Sequence, residues 1–372
     1  MADELVKYDA DDLIYNRFDL IYKDDYERFS YDCEGRKYII DAHYEGKKAV
    51  LNTWGKQFPQ HIAETAANEI FQKHHEIRYI AFNRAGNNYR KLLDRKNDIR
   101  IPIPKTNVEL LARLKPKHRY NLRRSRRRLE EACGELTTVI YEKKIPDEIV
   151  HMYFEWKKIT HKIQYGITPE EYLRKYYVTH AMVLRAGETV VGVAFYCVVN
   201  KIVYLENFSY DIKWEKFSAG YLTYEALLEE LIKMQCAFLY LGGGEYMYKK
   251  HFGAEENTVY SGAVYNQRVF DELNAYFLKN KIEKVAIYGL GACGREFLKL
   301  KDQLQVELAY GIDRETKAAR EIPVYTPEEE LPKVDAVLIT LYSHNMEIEA
   351  FLNKKAFRFF YWDDLAKSGM GQ

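Results

Sequence analysis

The stretch that decides the fold is AMVLRAGETVVGVAFYCVVNKIVYLENFSY, residues 181–210. It contains three runs rich in β-branched and aromatic residues, separated by the short turns Ala186-Gly187-Glu188 and Asn200-Lys201. Such runs favour strands, and turns this short join antiparallel neighbours. The sequence therefore predicts a three-stranded antiparallel meander in the middle of the chain.

A helix and a further strand follow the meander. Ser218-Ala219-Gly220 precedes residues 221–234, whose apolar side chains recur at helical spacing. Residues 238–241 have the composition of a short strand and lead into the glycine run Gly242-Gly243-Gly244. Strands that alternate with helices predict a mixed α/β fold for this region.

A strongly basic run precedes the meander, although the whole chain is balanced at 56 basic and 55 acidic residues. No acidic side chain occurs between Glu109 and Glu130. The run contains nine lysines and arginines: Arg113, Lys115, Lys117, Arg119, Arg123, Arg124, Arg126, Arg127 and Arg128. Leu122 and Leu129 are seven residues apart, so a helix from Pro116 onward would keep a narrow apolar stripe. The pattern predicts a basic helix with one buried face.

A glycine-rich turn marks a separate C-terminal segment. Residues 284–288 predict a buried strand, and Gly289-Leu290-Gly291-Ala292-Cys293-Gly294 then opens a helix. Asp313 ends the next predicted strand, 24 residues beyond Gly289, near the position of the ribose-binding acid in dinucleotide folds. The pattern predicts nucleotide binding by Gly289, Gly291, Gly294 and Asp313, or else a tight βα turn without a ligand.

The composition excludes several classes of protein. A net charge of +1 argues against a generally basic nucleic-acid coat. The sequence contains no run of about 18 apolar residues, so a membrane-spanning helix is not expected. The five cysteines include no C-x-x-C pair, the histidines lack metal-site spacing, and the N-terminal residues lack an apolar signal segment. We therefore expect a cytoplasmic protein with reduced cysteines and no metal; its oligomeric state stays open.

Three motifs resemble GNAT-type acyltransferases, and specifically the Fem/BioF-like branch, in which two GNAT-like halves lie in tandem. They are LKPKHRYNLRR (residues 114–124), Tyr210-Asp211 followed by Ser218-Ala219-Gly220-Tyr221-Leu222, and LGGGEYMYK (residues 241–249). The C-terminal segment resembles the Rossmann-like, nucleotide-sugar-binding module of sugar acyltransferases. The resemblance implies tandem GNAT-like α/β domains over 1–150 and 151–270, followed by a small Rossmann-like parallel α/β domain over 281–372.

The resemblance implies acyl-CoA as the donor, bound around the loop before the second helix. The expected donor-binding residues are Lys216, Ser218, Ala219, Gly220, Tyr221 and Leu222. A helix N-terminus offers free N–H groups and a positive dipole to a pyrophosphate, and small residues let the backbone approach it closely. The loop departs from the usual Q/R-x-x-G-x-G/A pattern because its second glycine is missing. An ordinary helix capped by Ser218 is the alternative.

Three residues are the candidates for catalysis. Glu206 lies on the third meander strand, where GNAT enzymes often place a base, and a buried acid with a raised pKa suits that role. Strand alternation predicts that it shares one face with aromatic residues: Tyr204, Phe208 and Tyr210. The alternative is an acid that faces solvent at a strand end. Tyr248 and Lys249 are expected to bind substrate or stabilise charge; a helix cap and a solvated lysine are the alternatives.

The basic helix leaves three interpretations open. A solvated helix face is the default for a run of charges. Arg119, Arg123 and Arg124 would otherwise bind an anionic acceptor, such as a nucleotide or a phosphorylated glycan, because guanidinium groups match phosphate geometry. RNA binding is the third interpretation, since some Fem-like enzymes use aminoacyl-tRNA donors.

The prediction for the whole chain is an acyltransferase. It would move an acyl group from acyl-CoA or a carrier thioester to an amine or hydroxyl acceptor, which is a small molecule or a nucleotide-linked or cell-envelope sugar. One alternative is a Fem-like aminoacyl-tRNA-dependent peptidyltransferase with tRNA as a partner. The other is a non-catalytic nucleotide-sensing protein, which the missing loop glycine favours.

Overall fold

The computed structural model describes residues 17–23, 25–53, 56, 58–86, 88–89, 92–163, 165–243, 247–314, 322–341 and 344–368. The α-helices are α1 Arg17–Tyr22, α2 Gln60–Lys73, α3 Asn107–Arg113, α4 Pro116–Cys133, α5 Asp147–His161, α6 Pro169–Lys175, α7 Ala219–Lys233, α8 Met247–His251, α9 Gln267–Lys279, α10 Ala292–Leu298 and α11 Met346–Lys354. The strands are β1 Glu27–Cys33, β2 Arg36–Glu45, β3 Lys48–Leu51, β4 Tyr79–Ala85, β5 Asp94–Pro102, β6 Leu136–Glu142, β7 His180–Ala186, β8 Thr189–Val199, β9 Ile202–Tyr210, β10 Phe238–Gly242, β11 Glu255–Tyr265, β12 Lys284–Tyr288, β13 Glu307–Ile312, β14 Val324–Tyr325, β15 Ala336–Ile339 and β16 Phe359–Tyr361.

The chain forms two compact units. The first consists of the described residues up to Lys23 together with Asn97–Thr258, and the second of the described residues in Asp24–Lys96 and Val259–Gln372. The division into 1–150, 151–270 and 281–372 stays a prediction. The predicted mixed α/β class is confirmed.

The predicted meander forms the centre of the first unit. β7, β8 and β9 are successive antiparallel neighbours, β6 pairs antiparallel with β7, and β10 runs parallel to β9. One face of this sheet packs against α7 and α4, and the other packs against α5 and α6. Both faces are apolar, which explains why the strands read as nearly continuous hydrophobic runs.

Two local features hold α7 and α4 against this sheet. A Cβ at Gly192 of β8 would lie 2.0 Å from Thr223 Oγ1, so glycine is required where α7 crosses the strand. Leu122 and Leu129 of α4 are 5% and 0% exposed and join the same apolar core. The apolar stripe predicted for the basic helix is therefore confirmed, and the charges occupy its other faces.

The second unit contains two sheets. In one, β1, β2, β3, β4 and β11 are successive neighbours, with β3 and β4 parallel and the other pairs antiparallel, and α2 covers a face. The other has five parallel strands in the order β14-β13-β12-β15-β16, as expected for a βαβ pattern. Its central strand β12 leads into the predicted glycine turn and α10.

Candidate active site

The parallel pair β9 and β10 opens part of the way along its length. The last residues in register are Tyr204 and Tyr240, although β9 continues to Tyr210. On its other side, β10 has an irregularity between Tyr240 and Gly242, and Gly242 has a φ of +65°. Beyond this pair, the described residues of β9 and β10 are no longer in register with each other, and we call this opening the β9–β10 gap.

Glu206 lies in a β-bulge beside this gap. Phe195 of β8 pairs with Asn207, and the next residue, Tyr196, pairs with Leu205, so Glu206 is an extra residue on β9. A bulge of this kind redirects side chains and is common next to active sites. Sequence periodicity gives no sign of it, because the alternation assumes an uninterrupted ladder.

The bulge corrects the predicted face of two aromatic residues. Phe208 and Tyr210 pack with Leu205 into the core under α7. Glu206 instead approaches Cys197, with 3.8 Å between Oε1 and Sγ, on the opposite face. The expectation that Glu206 shares a face with Phe208 and Tyr210 is wrong, since one inserted residue reverses the alternation beyond it.

Aromatic residues of α5 and α6 surround the bulge. The Tyr153 hydroxyl donates to Asn207 Oδ1 over 2.9 Å and lies 3.1 Å from the Tyr165 hydroxyl. Burial raises the pKa of Tyr172, and the charge of Glu206 adds to this effect. Glu206 itself is half-buried, which is the setting expected of a base rather than of a solvated strand end. Sequence reasoning missed Asn207 and Tyr153 as supports of this site.

A second acid lies beside the same gap. The Tyr240 hydroxyl donates to Asp98 of β5, whose side chain is almost completely buried. The Tyr240 ring lies 5.5 Å from that of Tyr204, across the last residue pair before the strands diverge. The sequence offers no signal for this pair, because Asp98 and Tyr240 are 142 residues apart.

The N-terminus of α7 is not capped by the residue that precedes it. Ser218 adopts a left-handed conformation, with φ 57° and ψ 39°, and its side chain makes no cap hydrogen bond. The alternative of a Ser-capped helix is therefore wrong. Ser125 of α4 donates to Ser218 Oγ over 3.3 Å, which brings the basic helix beside this end of α7.

The other predicted donor-binding residues divide into buried and exposed positions. Ala219 and Leu222 are 0% and 1% exposed, so they pack into the core and present almost no surface to a ligand. A Cβ at Gly220 would lie 2.8 Å from the Tyr210 ring, so packing alone requires glycine there. Lys216 is exposed, and its ammonium lies 5.1 Å from the centre of the Phe217 ring.

A histidine pair lies beside the first turn of α7. The Tyr221 hydroxyl is 3.2 Å from His251 Nδ1, and the rings of His118 and His251 are 3.9 Å apart. Burial lowers the pKa of His251, and His118 and Lys115 lower it further. Sequence reasoning missed both histidines, which lie on α4 and α8.

The predicted arginines of α4 differ in their surroundings. Arg119 Nη1 donates to the Leu111 carbonyl over 3.4 Å, whereas Arg123 and Arg124 are exposed. Arg126, which is not one of the three arginines predicted to bind an anion, forms an ion pair of 3.0 Å with the buried Glu225 of α7. Burial raises the pKa of Glu225, and the charge of Arg126 opposes that rise.

Lys249 is buried at the glycine run that follows β10. It is 3% exposed, and its ammonium donates to the carbonyls of Gly243 and Leu241 over 3.0 and 3.4 Å. The alternative of a solvated lysine is therefore wrong. The side chain of Tyr248 lies outside the described residues, so its predicted role stays a prediction.

The C-terminal glycine turn uses its three glycines differently. Gly289 has a φ of +95°, and a Cβ at Gly294 would lie 2.1 Å from the Gly289 carbonyl oxygen. A Cβ at Gly291 would meet nothing within 4 Å. Asp313 Oδ2 accepts a hydrogen bond of 2.6 Å from the Leu290 N–H of this turn, and its predicted role in nucleotide binding stays a prediction. The fold therefore explains the first and third glycines, but not the second.

The described part of the chain also bears on metal binding and on membrane insertion. No group of three or more histidine, cysteine, aspartate or glutamate side chains there is arranged to hold a metal ion. Among the helices so described, none has the length and apolar character needed to cross a membrane.

Comparison with solved structures gives partial likenesses. FemX is 9% identical with a TM-score of 0.45, covering 70% of this chain and 92% of its own. The C-terminal domain of a putative lysylphosphatidylglycerol synthetase from Agrobacterium fabrum is 13% identical with a TM-score of 0.41, covering 68% and 88%. A tandem GNAT protein from the clavulanic acid biosynthesis pathway is 10% identical with a TM-score of 0.37, covering 65% and 84%.

Comparison of sequences is more specific for one part of the chain. No curated protein matches the chain significantly. Residues 116–250, however, match the family model of the acetyltransferase (GNAT) domain. The matched region begins with α4 and contains the meander, the bulge at Glu206, α7 and Lys249. This region of the chain is thus similar to a GNAT acetyltransferase domain.

Proposed function

We propose that the protein is an acyltransferase that moves an acyl group from acyl-CoA or a carrier thioester to an amine or hydroxyl. The observation that carries this proposal is the gap between β9 and β10, with Glu206 in a bulge beside it. Where two parallel strands separate, their backbone amides can pair with an extended ligand, and the pantetheine arm of such a donor has amide groups of its own.

The N-terminal end of α7 is the proposed binding site for the donor's phosphates. The Ser218 side chain does not cap the N-terminus of this helix, and an anion at that end is favoured by the helix dipole. The exposed Lys216 of the preceding turn adds positive charge near this end. In this arrangement the phosphates lie at α7 and the acyl group reaches into the gap.

Glu206 is the proposed base. It accepts the proton of the attacking amine or hydroxyl, which forms a bond to the thioester carbonyl carbon; the carbon–sulfur bond then breaks and the thiol leaves. Backbone N–H groups of β9 at the β9–β10 gap are proposed to stabilise the negative carbonyl oxygen in the intermediate. Lys249 is proposed to fix the glycine run at the end of β10, and Tyr248 is proposed to bind substrate or stabilise charge.

Thiol release with acetyl-CoA and a panel of amines and amino sugars tests this function. We expect turnover for at least one acceptor, and we expect Glu206→Gln to lower kcat by about 10²- to 10⁴-fold, as is typical of a lost general base. Glu230→Gln is the matched control, since Glu230 lies on α7 and pairs with Lys233. Equal kcat in wild type and Glu206→Gln would remove the proposed base; no release across the panel would count against the function.

The acceptor is proposed to be a nucleotide-linked sugar held at the glycine turn. What supports this is Gly291, whose missing side chain would face open space, together with Asp313 at the same turn. In dinucleotide folds the second glycine allows a ligand to approach the backbone closely. Titration of full-length protein with nucleotide sugars tests this assignment separately from thiol release.

A tRNA-dependent transfer remains the second candidate, and the exposed Arg123 and Arg124 favour it. Under this alternative, the double substitution Arg123→Gln and Arg124→Gln abolishes aminoacyl-tRNA binding at low salt but leaves acetyl-CoA binding unchanged. A protein that binds neither donor in calorimetric titration would instead fit the non-catalytic, nucleotide-sensing alternative.

A further inference from the structure

A cavity of about 420 Å³ lies in the second unit, and none of its lining residues belongs to the proposed transferase site. Helix α2, strands β4 and β11 and the segment after α10 form its walls. Leu300 and Gln303 follow the C-terminal end of α10, whereas the glycine turn precedes its N-terminal end. The cavity is therefore separate from the proposed nucleotide-sugar site, and its volume is in the range of small-molecule pockets.

The interior of this cavity is aromatic. Its ring-bearing lining residues include Phe71, Phe82, Tyr89, Tyr265 and Phe270. Phe82 and Tyr89 have ring centres 4.8 Å apart, and both are nearly completely buried. Aromatic walls of this kind favour a flat ligand, because an aromatic side chain can stack on the face of a flat ring whatever its substituents.

The mouth of the cavity carries amide side chains. Asn68, Gln72 and Gln303 line it and are exposed. Within the described part of the chain, their side-chain amides make no hydrogen bond to protein. Each amide has both donors and an acceptor, and so can pair with a ligand edge that alternates acceptors and donors.

The charges that line the cavity are already engaged. Arg268 donates to the His75 carbonyl and lies 3.5 Å from the Glu272 carboxylate. Glu64 accepts a hydrogen bond of 2.8 Å from Gln60. Because the arginine has these partners, the cavity lacks the strong attraction for phosphate that a free guanidinium would give. The lining therefore suits an uncharged molecule better than an anion.

We propose that this cavity binds an uncharged planar heteroaromatic ring with hydrogen-bond donors and acceptors along its edge, that is, the base of a nucleoside. The base stacks against Phe71 within the aromatic walls, and its edge pairs with the amides of Asn68 and Gln303. Amides pair with base edges in this way because both present a donor beside an acceptor. The inference does not depend on the acyltransferase, since no residue of the β9–β10 gap takes part.

Calorimetric titration of the full-length protein with adenosine, guanosine and uridine tests the site. We expect at least one nucleoside to bind, and its 5′-monophosphate to bind no more tightly. Asn68→Leu and Gln303→Met keep side-chain volume but remove the amides, and each should weaken binding roughly 5- to 100-fold. Gln305→Met is the matched control, since Gln305 is exposed and does not line the cavity, and it should leave the affinity unchanged.

The same titrations separate this site from the glycine turn. Nucleoside binding should persist in Gly291→Val, which blocks close approach to that turn. The proposal is overturned if no nucleoside binds at millimolar concentration, if both amide variants bind as wild type does, or if Gly291→Val abolishes binding. It is also overturned if benzyl alcohol binds as tightly as the nucleosides, since the cavity would then be a nonspecific apolar site.

Discussion

Tyr153 and Asn207 show how one hydroxyl can support the candidate base. Asn207 is the residue after the bulge, and its side chain is held by the Tyr153 hydroxyl at 2.9 Å. Tyr153 is completely buried, so no water replaces this donor if it is removed. The Tyr153 hydroxyl therefore helps to hold the bulge, and with it the direction of Glu206.

Tyr153→Phe should lower both stability and activity. Leaving a buried acceptor without its donor costs about 1–3 kcal/mol of unfolding free energy. If the hydroxyl positions Glu206, kcat should fall at least about tenfold while KM for the donor changes little. Urea denaturation and thiol-release kinetics check the two effects. Tyr120→Phe, at a side chain that is 65% exposed, should change neither; an unchanged kcat in Tyr153→Phe would show that the hydroxyl has no positioning role.

One ion pair joins helix α4 to helix α7. Arg126 and Glu225 connect the basic helix to the helix at the proposed donor site. Glu225 is 5% exposed, so its carboxylate depends on this arginine for its charge to be tolerated. Arg126 is about a third exposed, which reduces its contribution through solvent screening.

Arg126→Met should make stability depend on pH. The pKa of Glu225 is already raised by burial above its usual 4.5, and it rises further without the arginine. At pH values between 4.5, the pKa in the unfolded chain, and this raised pKa, the Glu225 carboxyl is protonated in the folded state and ionised in the unfolded state. Stability should therefore increase as pH falls through this window, and more steeply in the variant.

Chemical denaturation at pH 8, 6.5 and 5.5 measures this dependence. At pH 8 the variant should lose about 1–3 kcal/mol, less than for a fully buried pair because Arg126 is partly exposed. Arg127→Met is the control, since Arg127 is exposed and pairs with the exposed Glu131 at 3.5 Å. The same pH slope in wild type and Arg126→Met would contradict the assigned role of the pair.

The glycine turn before α10 allows a matched pair of substitutions. Gly294→Ala should destabilise the fold by about 1–3 kcal/mol, because its Cβ would overlap the Gly289 carbonyl oxygen. Gly291→Ala should leave the melting temperature unchanged, since its Cβ meets nothing within 4 Å. If a nucleotide sugar binds here, Gly291→Ala should weaken that binding. Thermal melts and titration check both, and equal melting temperatures for the two variants would contradict the packing argument.

Sequence patterns predicted the elements better than their mutual register. Local sequence periodicity predicts the meander, the apolar stripe of Leu122 and Leu129, and the glycine turn. The bulge at Glu206 does not, because it depends on how β8 and β9 pair. The Asp98–Tyr240 and His118–His251 contacts join distant segments, and nothing in local composition distinguishes them from other polar residues.

At the scale of the molecule, the second unit joins segments that the sequence divides. Arg78 is buried, and it donates to the carbonyls of Ala366 and Leu365 and pairs with Glu272 at 2.5 Å. The apolar core around α9 also includes Val285 and Trp362 of the C-terminal segment. These contacts make residues 281–372 part of a shared core within this unit.

Truncation after Lys279 should therefore destabilise the remaining chain. The cut exposes Phe270 and Phe277, which are both 1% exposed in the full chain, and leaves the Arg78 guanidinium without its carbonyl partners. We expect aggregation in size-exclusion chromatography and a lower urea midpoint than for the full chain. A truncated chain that is monomeric and equally stable would instead favour an independent C-terminal domain. Arg78→Met in the full chain measures the part of the effect due to the arginine.

The order of segments in the two units has a consequence for synthesis on the ribosome. Most of the first unit is the single stretch Asn97–Thr258, which lies between the two stretches of the second unit. Chains emerge from the N-terminus, and units fold as their residues become available. The transferase-like unit is therefore complete while the second unit still lacks its later stretch. During this interval Tyr79 and Leu92 have not yet met the later apolar residues that they pack against in the finished unit, and transiently exposed apolar surface of this kind favours aggregation.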